Sequence, residues 1–350
     1  MNSAPPTRKA RYAVVGLGHI AQAAILPAFA HASHNSELRA LVSGDPGKLR
    51  ELSKRYLVPC TYSYDQYDRC LRSGEIDAVY IALPNSMHCE YSVAAARAGV
   101  HVLCEKPMAV TERDCERMIR EARQHQVRLM IAYRMHFDTA HSEAVRIVTS
   151  GQLGIPRIFN SVLTMLVKDG NVRLKKRLGG GPVYDIGIYC INAARHMFDA
   201  EPGEVFACQA KLQDSRFAEV GESTSAILRF SQGRVATFTC SFGAARESVY
   251  EVVGTNAVLR SDPAYERAHP CTHHLIANGV TTKRVFYQQD QFASELAEFS
   301  DCVLNGRTPT SSGEEGSSDV RIIEALQRSA ETGHPVELQP PGSKPQRNSE

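Results

Sequence analysis

Six residues near the N-terminus, Gly16-Leu17-Gly18-His19-Ile20-Ala21, constrain this chain more than any other feature. They follow a short β-rich run at residues 11–15 and lead into Ala, Ile and Leu at helical spacing over residues 19–30. A G-x-G-x-x-A segment between a strand and a helix is a dinucleotide-binding fingerprint. Gly16 permits the tight turn, Gly18 lets a pyrophosphate approach the backbone, and Ala21 is small enough for helix and strand to pack closely. His19 and Ile20 open the helix, where unpaired N–H groups and the positive end of the dipole favour phosphate.

Beyond this loop, strands at 38–42, 60–62, 78–82, 101–104 and 128–132 alternate with helices at 47–56, 64–72, 91–98 and 111–125. Such alternation predicts a doubly wound parallel sheet. After Tyr133 the pattern changes. One helix at 139–149 precedes β-rich stretches at 157–166, 204–212, 223–230, 235–241 and 249–253, interrupted by a helix at 182–198. Successive strands without intervening helices predict a mostly antiparallel sheet. The expectation is an α/β chain with a dinucleotide-binding Rossmann domain over 11–133 and a second α/β domain over 134–338. Disordered tails are expected at 1–10 and 339–350.

The end of the second strand bears on which dinucleotide is bound. An NAD site places an acid there to hold the ribose 2′-hydroxyl. Here the strand runs into Ser43-Gly44-Asp45, with Gly44 at the acid's position. Glycine removes the repulsion of a 2′-phosphate, and Ser43 and Lys48 offer it a hydroxyl and an ammonium. The expected cofactor is NADP. The alternative is a plain turn from which Asp45 reaches the ribose.

Chemistry is expected where sheet strands end. Pro84-Asn85-Ser86-Met87-His88 follows one strand and Glu105-Lys106-Pro107 the next, both at carboxyl ends, where open α/β sheets bind ligands. The Lys106–Pro107 bond is a candidate for the cis form, which X-Pro bonds tolerate. In the helix after Gly179-Gly180-Gly181, Pro182 suits the first helical position, and Asp185 and Tyr189 stand four apart on one face. Hydride transfer to a carbonyl needs a proton donor beside it. Tyrosine ionises near pH ~10, and a neighbouring lysine cation lowers that value. Tyr189, Lys106 and Asp185 are thus candidate donor, tuning cation and orienting carboxylate, against the alternative that Tyr189 is a core aromatic. His136, His141, Arg173 and His196 are weaker candidates for lining a substrate pocket.

Lysine and arginine exceed aspartate and glutamate by 2 in 350 residues, which points to neither nucleic acid nor membrane. A basic run at Arg173, Lys175, Lys176 and Arg177 reads as a solvated loop. The N-terminus has no apolar core of a signal peptide. The ten cysteines form no C-x-x-C pair, so no zinc site is indicated, and their scatter suits a reduced cytoplasmic compartment.

Taken together, the glycine loop, Pro84-Asn85 with His88, Glu105-Lys106-Pro107, Tyr133-Arg134, the triple glycine and Asp185-Ile186-Gly187-Ile188-Tyr189 resemble the glucose-fructose oxidoreductase and inositol dehydrogenase (Gfo/Idh/MocA) family over nearly the whole chain. The resemblance implies an NADP-binding Rossmann domain and a second domain whose large open sheet forms a homo-oligomer interface. It implies catalysis by Lys106, Asp185 and Tyr189, a cofactor site that includes Pro84, Asn85, His88, Glu105, Tyr133 and Arg134, and a substrate site of Lys106, Arg134, Asp185 and Tyr189. Many members carry histidine where this chain has Tyr189, and the tyrosine is similar to the glucose-fructose oxidoreductase branch and to dihydrodiol dehydrogenases. The expected activity is hydride transfer to or from a sugar- or polyol-like substrate. A trans-dihydrodiol dehydrogenase and a non-enzymatic NADP-sensing regulator are the alternatives.

Overall fold

The computed structural model describes residues 8–210 and 214–339. Most of the two expected tails, and the last two residues of the strand expected at 204–212, lie outside the described residues. The described residues fall into two units, those within Met1–Phe137 and Asp290–Ser317 and those within Asp138–Gln289 and Ser318–Glu350.

Unit one is built on a parallel sheet of β1 (Ala10–Val15), β2 (Ser36–Val42), β3 (Cys60–Tyr62), β4 (Ala78–Ile81), β5 (His101–Glu105) and β6 (Leu129–Ala132). Its strand order is β3-β2-β1-β4-β5-β6, that of a Rossmann fold. β4 and β6 are buried at every residue, because helices cover both faces of such a sheet. The helices are α1 (Leu26–His31), α2 (Pro46–Tyr56), α3 (Tyr67–Leu71), α4 (His88–Arg97) and α5 (Glu112–Gln124). The helix after the glycine loop reaches α1 through a π turn at Ala21–Ile25. The expected single domain over 134–338 needs correction, because residues 290–317 return to unit one. The physical reason is the apolar stripe Phe292, Leu296 and Phe299 of the helix Gln291–Asn305, which joins Tyr12, Phe29 and Tyr80 in one core. Tyr12 Oη and Ser300 Oγ lie 2.7 Å apart in that core.

Unit two adds α6 (Thr139–Thr149), β7 (Pro156–Thr164), α7 (Ile188–Phe198), β8 (Glu204–Ala210), β9 (Ser223–Arg229), β10 (Val235–Ser241), β11 (Glu247–Gly254), β12 (Ala257–Asp262), β13 (Cys271–Ala277) and β14 (Val280–Phe286). The returning helix Gln291–Asn305 is α8, α9 (Gly313–Thr332) begins in unit one and ends in unit two, and β15 (Val336–Glu337) completes the chain order. The sheet runs β14-β13-β12-β11-β7-β10-β9-β8-β15, with β7 and β10 parallel and the other pairs antiparallel. β9 alternates buried and exposed residues, so one face of the sheet is covered and one is open. Gly187 packs closely on the covered face: a Cβ there would lie 3.1 Å from Cys240 Sγ and 3.3 Å from the Phe238 ring.

Among the described residues, no helix is long and apolar enough to cross a membrane.

Candidate active site

Parallel strands place the carboxyl ends of β1, β2, β4, β5 and β6 along one edge of unit one. Gly16 follows β1 with φ +95°, and a Cβ on it would lie 2.6 Å from the Ala82 carbonyl oxygen, so the turn demands glycine. Gly18 differs. A Cβ there would meet no atom within 4 Å, and Gly18 and His19 are exposed, with Ile20 half-buried. The chain's own packing does not call for glycine at 18, whereas a dinucleotide phosphate against the backbone does. The residues therefore fit the cofactor they were expected to hold.

At the end of β2, Ser43 is buried and its Oγ accepts the Asp45 N–H at 3.1 Å. Asp45 caps α2, its Oδ1 accepting the N–H groups of Gly47 at 2.9 Å and Lys48 at 3.1 Å. Oδ1 of this carboxylate is thereby engaged in the helix start. Lys48 Nζ stands 3.9 Å from Asp45 Oδ2, on the exposed first turn of α2. A Cβ on Gly44 would lie 3.1 Å from the Tyr64 ring, a second reason for glycine there.

Pro84 and Asn85 open a short 3-10 turn after β4 and are half-buried. His88 does not meet the expectation of a cofactor contact. It is fully buried, with Nδ1 2.9 Å from the Pro107 carbonyl and Nε2 2.9 Å from the Leu83 carbonyl. Burial pushes its pKa below the usual value, assisted by the nearby Lys106 cation. His88 therefore sits between the segments after β4 and β5, and its neutral ring donates its one N–H to one of the two carbonyls. The Lys106–Pro107 bond is cis. Lys106 is half-buried, and its charge also opposes the effect of burial on Glu105.

Glu105, at the end of β5, faces inward. The Tyr80 hydroxyl donates to its Oε1 at 3.1 Å and lies 2.9 Å from Oε1 of Glu295 on α8. Burial raises both carboxyl pKa values, Glu295 well above the ordinary range. Arg134 is buried in the same network, opposes both shifts, and donates to Gln291 Oε1 at 2.8 Å. Tyr133 is buried, its ring 5.9 Å from that of His136, and His136 Nε2 stands 2.9 Å from Glu315 Oε1. The sequence reading missed Tyr80 and Glu295. An acid between Phe292 and Phe299 on an apolar helix face was the available signal for Glu295.

In unit two, a π turn at Val183–Gly187 carries Asp185 into α7. From Gly181 to Phe198 every residue is buried except Asp185, Tyr189 and His196, which are half-buried. Gly187 packs toward β10 from the opposite side. Asp185 Oδ2 accepts from Arg173 Nε at 2.6 Å. Within the basic run only Arg173 departs from the solvated loop expected, since Lys175, Lys176 and Arg177 are exposed. Arg173 is half-buried in its ion pair, whereas Lys175 pairs with the exposed Glu219 at 2.9 Å on the surface. The His141 ring is buried edge-on to those of His196, at 6.2 Å, and Tyr250, at 6.4 Å.

Residues 10–133 match the model of an oxidoreductase family with an NAD-binding Rossmann fold, and residues 141–260 match the GFO/IDH/MocA C-terminal domain. A D-xylose 1-dehydrogenase (NADP+) of Haloarcula marismortui is 34% identical, over 94% of this chain and 93% of its own. The crystal structure of an aldose-aldose oxidoreductase from Caulobacter crescentus, complexed with glycerol, superposes with a TM-score of 0.90 at 38% identity, covering 95% of this chain and 100% of that one. A 3-ketoreductase from Actinomadura kijaniata, in complex with NADP and TDP-benzene, gives a TM-score of 0.84 at 27% identity over 92% and 98% of the two chains. The first and third of these take NADP, the cofactor expected for this chain. The glycine loop, the two sheets and these relatives agree: the chain belongs to the GFO/IDH/MocA family and is a nicotinamide-dinucleotide-dependent oxidoreductase acting on CH–OH groups.

Proposed function

We propose that this protein is an NADP-dependent dehydrogenase or reductase of an aldose or a related polyol, with Tyr189 as its proton-transfer residue. The observation that carries the reading is the pattern of exposure on the helix after the triple glycine, where Asp185 and Tyr189 stay accessible while almost everything around them is buried. When bound, the dinucleotide takes up or gives the hydride. In the oxidative direction Tyr189 accepts the substrate hydroxyl proton as the C–O bond becomes a carbonyl, and in the reductive direction it returns that proton. Lys106 supplies the cation that favours the deprotonated phenol. Asp185 orients the substrate hydroxyl. Gly44, the capping role of Asp45, and the Ser43 hydroxyl with Lys48 favour the 2′-phosphate of NADP over NAD.

Two further parts of the reading concern setting. The open face of the second sheet carries Ile158 and Ile227, each 41% exposed, and we assign it to a homo-oligomer interface. All ten cysteines are free, which suits the reducing cytoplasm.

The test is a panel of aldoses, sugar lactones, inositols and trans-dihydrodiols with NADP and NADPH, followed by absorbance. Fastest turnover on an aldose or polyol is expected. A trans-dihydrodiol turned over faster than every sugar would replace this reading, and cofactor binding without any turnover would favour a sensor.

A further inference from the structure

Arg173 comes from a run of basic residues that resembles surface decoration, yet the chain builds a seat for it. Asn171 Oδ1 accepts the Arg173 N–H at 3.0 Å, and Leu174 beside it is buried. Lys175 and the Lys176 N–H bind the two carboxylate oxygens of Glu219, at 2.9 and 3.1 Å. On the other side stands the triple glycine. Gly181 donates its N–H to the Arg173 carbonyl at 2.9 Å, and the Gly181 carbonyl accepts the Asp185 N–H at 3.1 Å. A Cβ on Gly180 would overlap the Arg173 carbonyl, and Gly181 adopts φ +126°. Two backbone hydrogen bonds and the 2.6 Å ion pair thus close a ring between Arg173 and Asp185. That ring explains Gly180 and Gly181, and Gly179, at φ +75°, ends the 3-10 turn before it.

The guanidinium is also only partly engaged. It carries five N–H donors, and the Nε donor goes to Asp185. The terminal nitrogens make no hydrogen bond among the described residues, and the side chain is 35% exposed. The Tyr189 phenol is near enough to favour the Arg173 cation electrostatically. A planar fork with open donors matches two neighbouring oxygens. Because Asp185 already balances its charge, neutral hydroxyls suit it better than a carboxylate or phosphate.

We propose that Arg173 is a specificity-determining residue that binds the hydroxyl next to the reacting carbon of the sugar while holding Asp185 in place. This rests on the reading of Asp185 and Tyr189 as the reacting face. It makes a vicinal diol, rather than an isolated alcohol, the group the site recognises.

The experiment compares D-glucose with 2-deoxy-D-glucose, and D-xylose with 2-deoxy-D-xylose, by kcat/KM with NADP. Wild-type enzyme is expected to lose at least about tenfold on removal of the 2-hydroxyl, because a site built to hydrogen-bond a hydroxyl rejects the analogue lacking it. Arg173→Gln should lower kcat/KM on the parent sugar by roughly ten- to a hundredfold and bring parent and deoxy sugar within about threefold of each other, with NADP affinity unchanged. Arg173→Lys, which keeps a cation for Asp185 without the fork, should fall between. Arg177→Ala should behave as wild type. A wild-type enzyme indifferent to the 2-hydroxyl would overturn the proposal without any variant. So would an unchanged parent-to-deoxy ratio in Arg173→Lys or Arg173→Gln, since a merely structural arginine lowers both sugars alike. Tyr189→Phe is run beside them: full turnover in that variant refutes the proton-transfer reading, whereas an unchanged sugar ratio refutes only the role of Arg173.

Discussion

Asp45 bears on the cofactor through its place in the chain and its partners. It lies one residue beyond the position where an NAD site keeps its acid, but it caps α2 through the Gly47 and Lys48 amides. With that carboxylate engaged and glycine at 44, NADP is expected to bind at least about tenfold tighter than NAD, a difference of about 1.4 kcal/mol. Fluorescence titration of both cofactors checks this, and equal affinity would contradict it. Gly44→Asp should weaken NADP more than NAD, though its Cβ first has to displace the Tyr64 ring. The sequence made Gly44 and Ser43 legible because strand-end chemistry follows a short motif. It misassigned His88 because a histidine in a strand-end motif reads the same whether it faces a ligand or two carbonyls. Arg173 was legible only as a weaker pocket candidate within a charge run, because its pairing with Asp185 through the folded glycine segment leaves no local mark.

At the scale of elements, the helix at 139–149 and the strand at 235–241 were read to the residue, since each is a periodic run with clear ends. β12, β13 and β14 were not foreseen, and neither were α8 and α9. An apolar stripe shows that a helix is amphipathic but not which sheet it covers. That assignment has a measurable consequence. Phe299 is fully buried against Tyr12, their ring centroids 6.5 Å apart, so Phe299→Ala should destabilise unit one by about 3–5 kcal/mol, read from the urea midpoint. A loss below about 1 kcal/mol would mean that α8 does not complete that core. β13 makes a pH prediction. His273 is buried, neither ring nitrogen has a partner among the described residues, and burial lowers its pKa to about 4, against about 6.5 in an unfolded chain. The folded value is the lower one, so the unfolded chain takes up the proton first as pH falls. The His273 contribution is therefore undiminished above about pH 6.5 and declines toward about pH 4, by on the order of 3 kcal/mol. His273→Leu should flatten that decline, and identical acid slopes in variant and wild type would contradict it.

For the whole molecule, the order of local patterns carried the architecture. Strand–helix alternation followed by consecutive strands led to a parallel sheet and a mostly antiparallel one, and both are present. The boundary was less legible, because residues 290–317 rejoin a core formed far earlier in the chain, and such long-range return leaves no local mark. The proposed chemistry turns on one hydroxyl group. Tyr189→Phe keeps the ring and removes the phenol oxygen, so thermal stability and NADP affinity should change little. Turnover of the best aldose, followed at 340 nm, should fall by roughly 10²- to 10⁴-fold, the usual worth of general acid–base catalysis. A Tyr189→Phe enzyme that oxidises the sugar at close to the wild-type rate would show that Tyr189 only packs, and that the proton moves through another group.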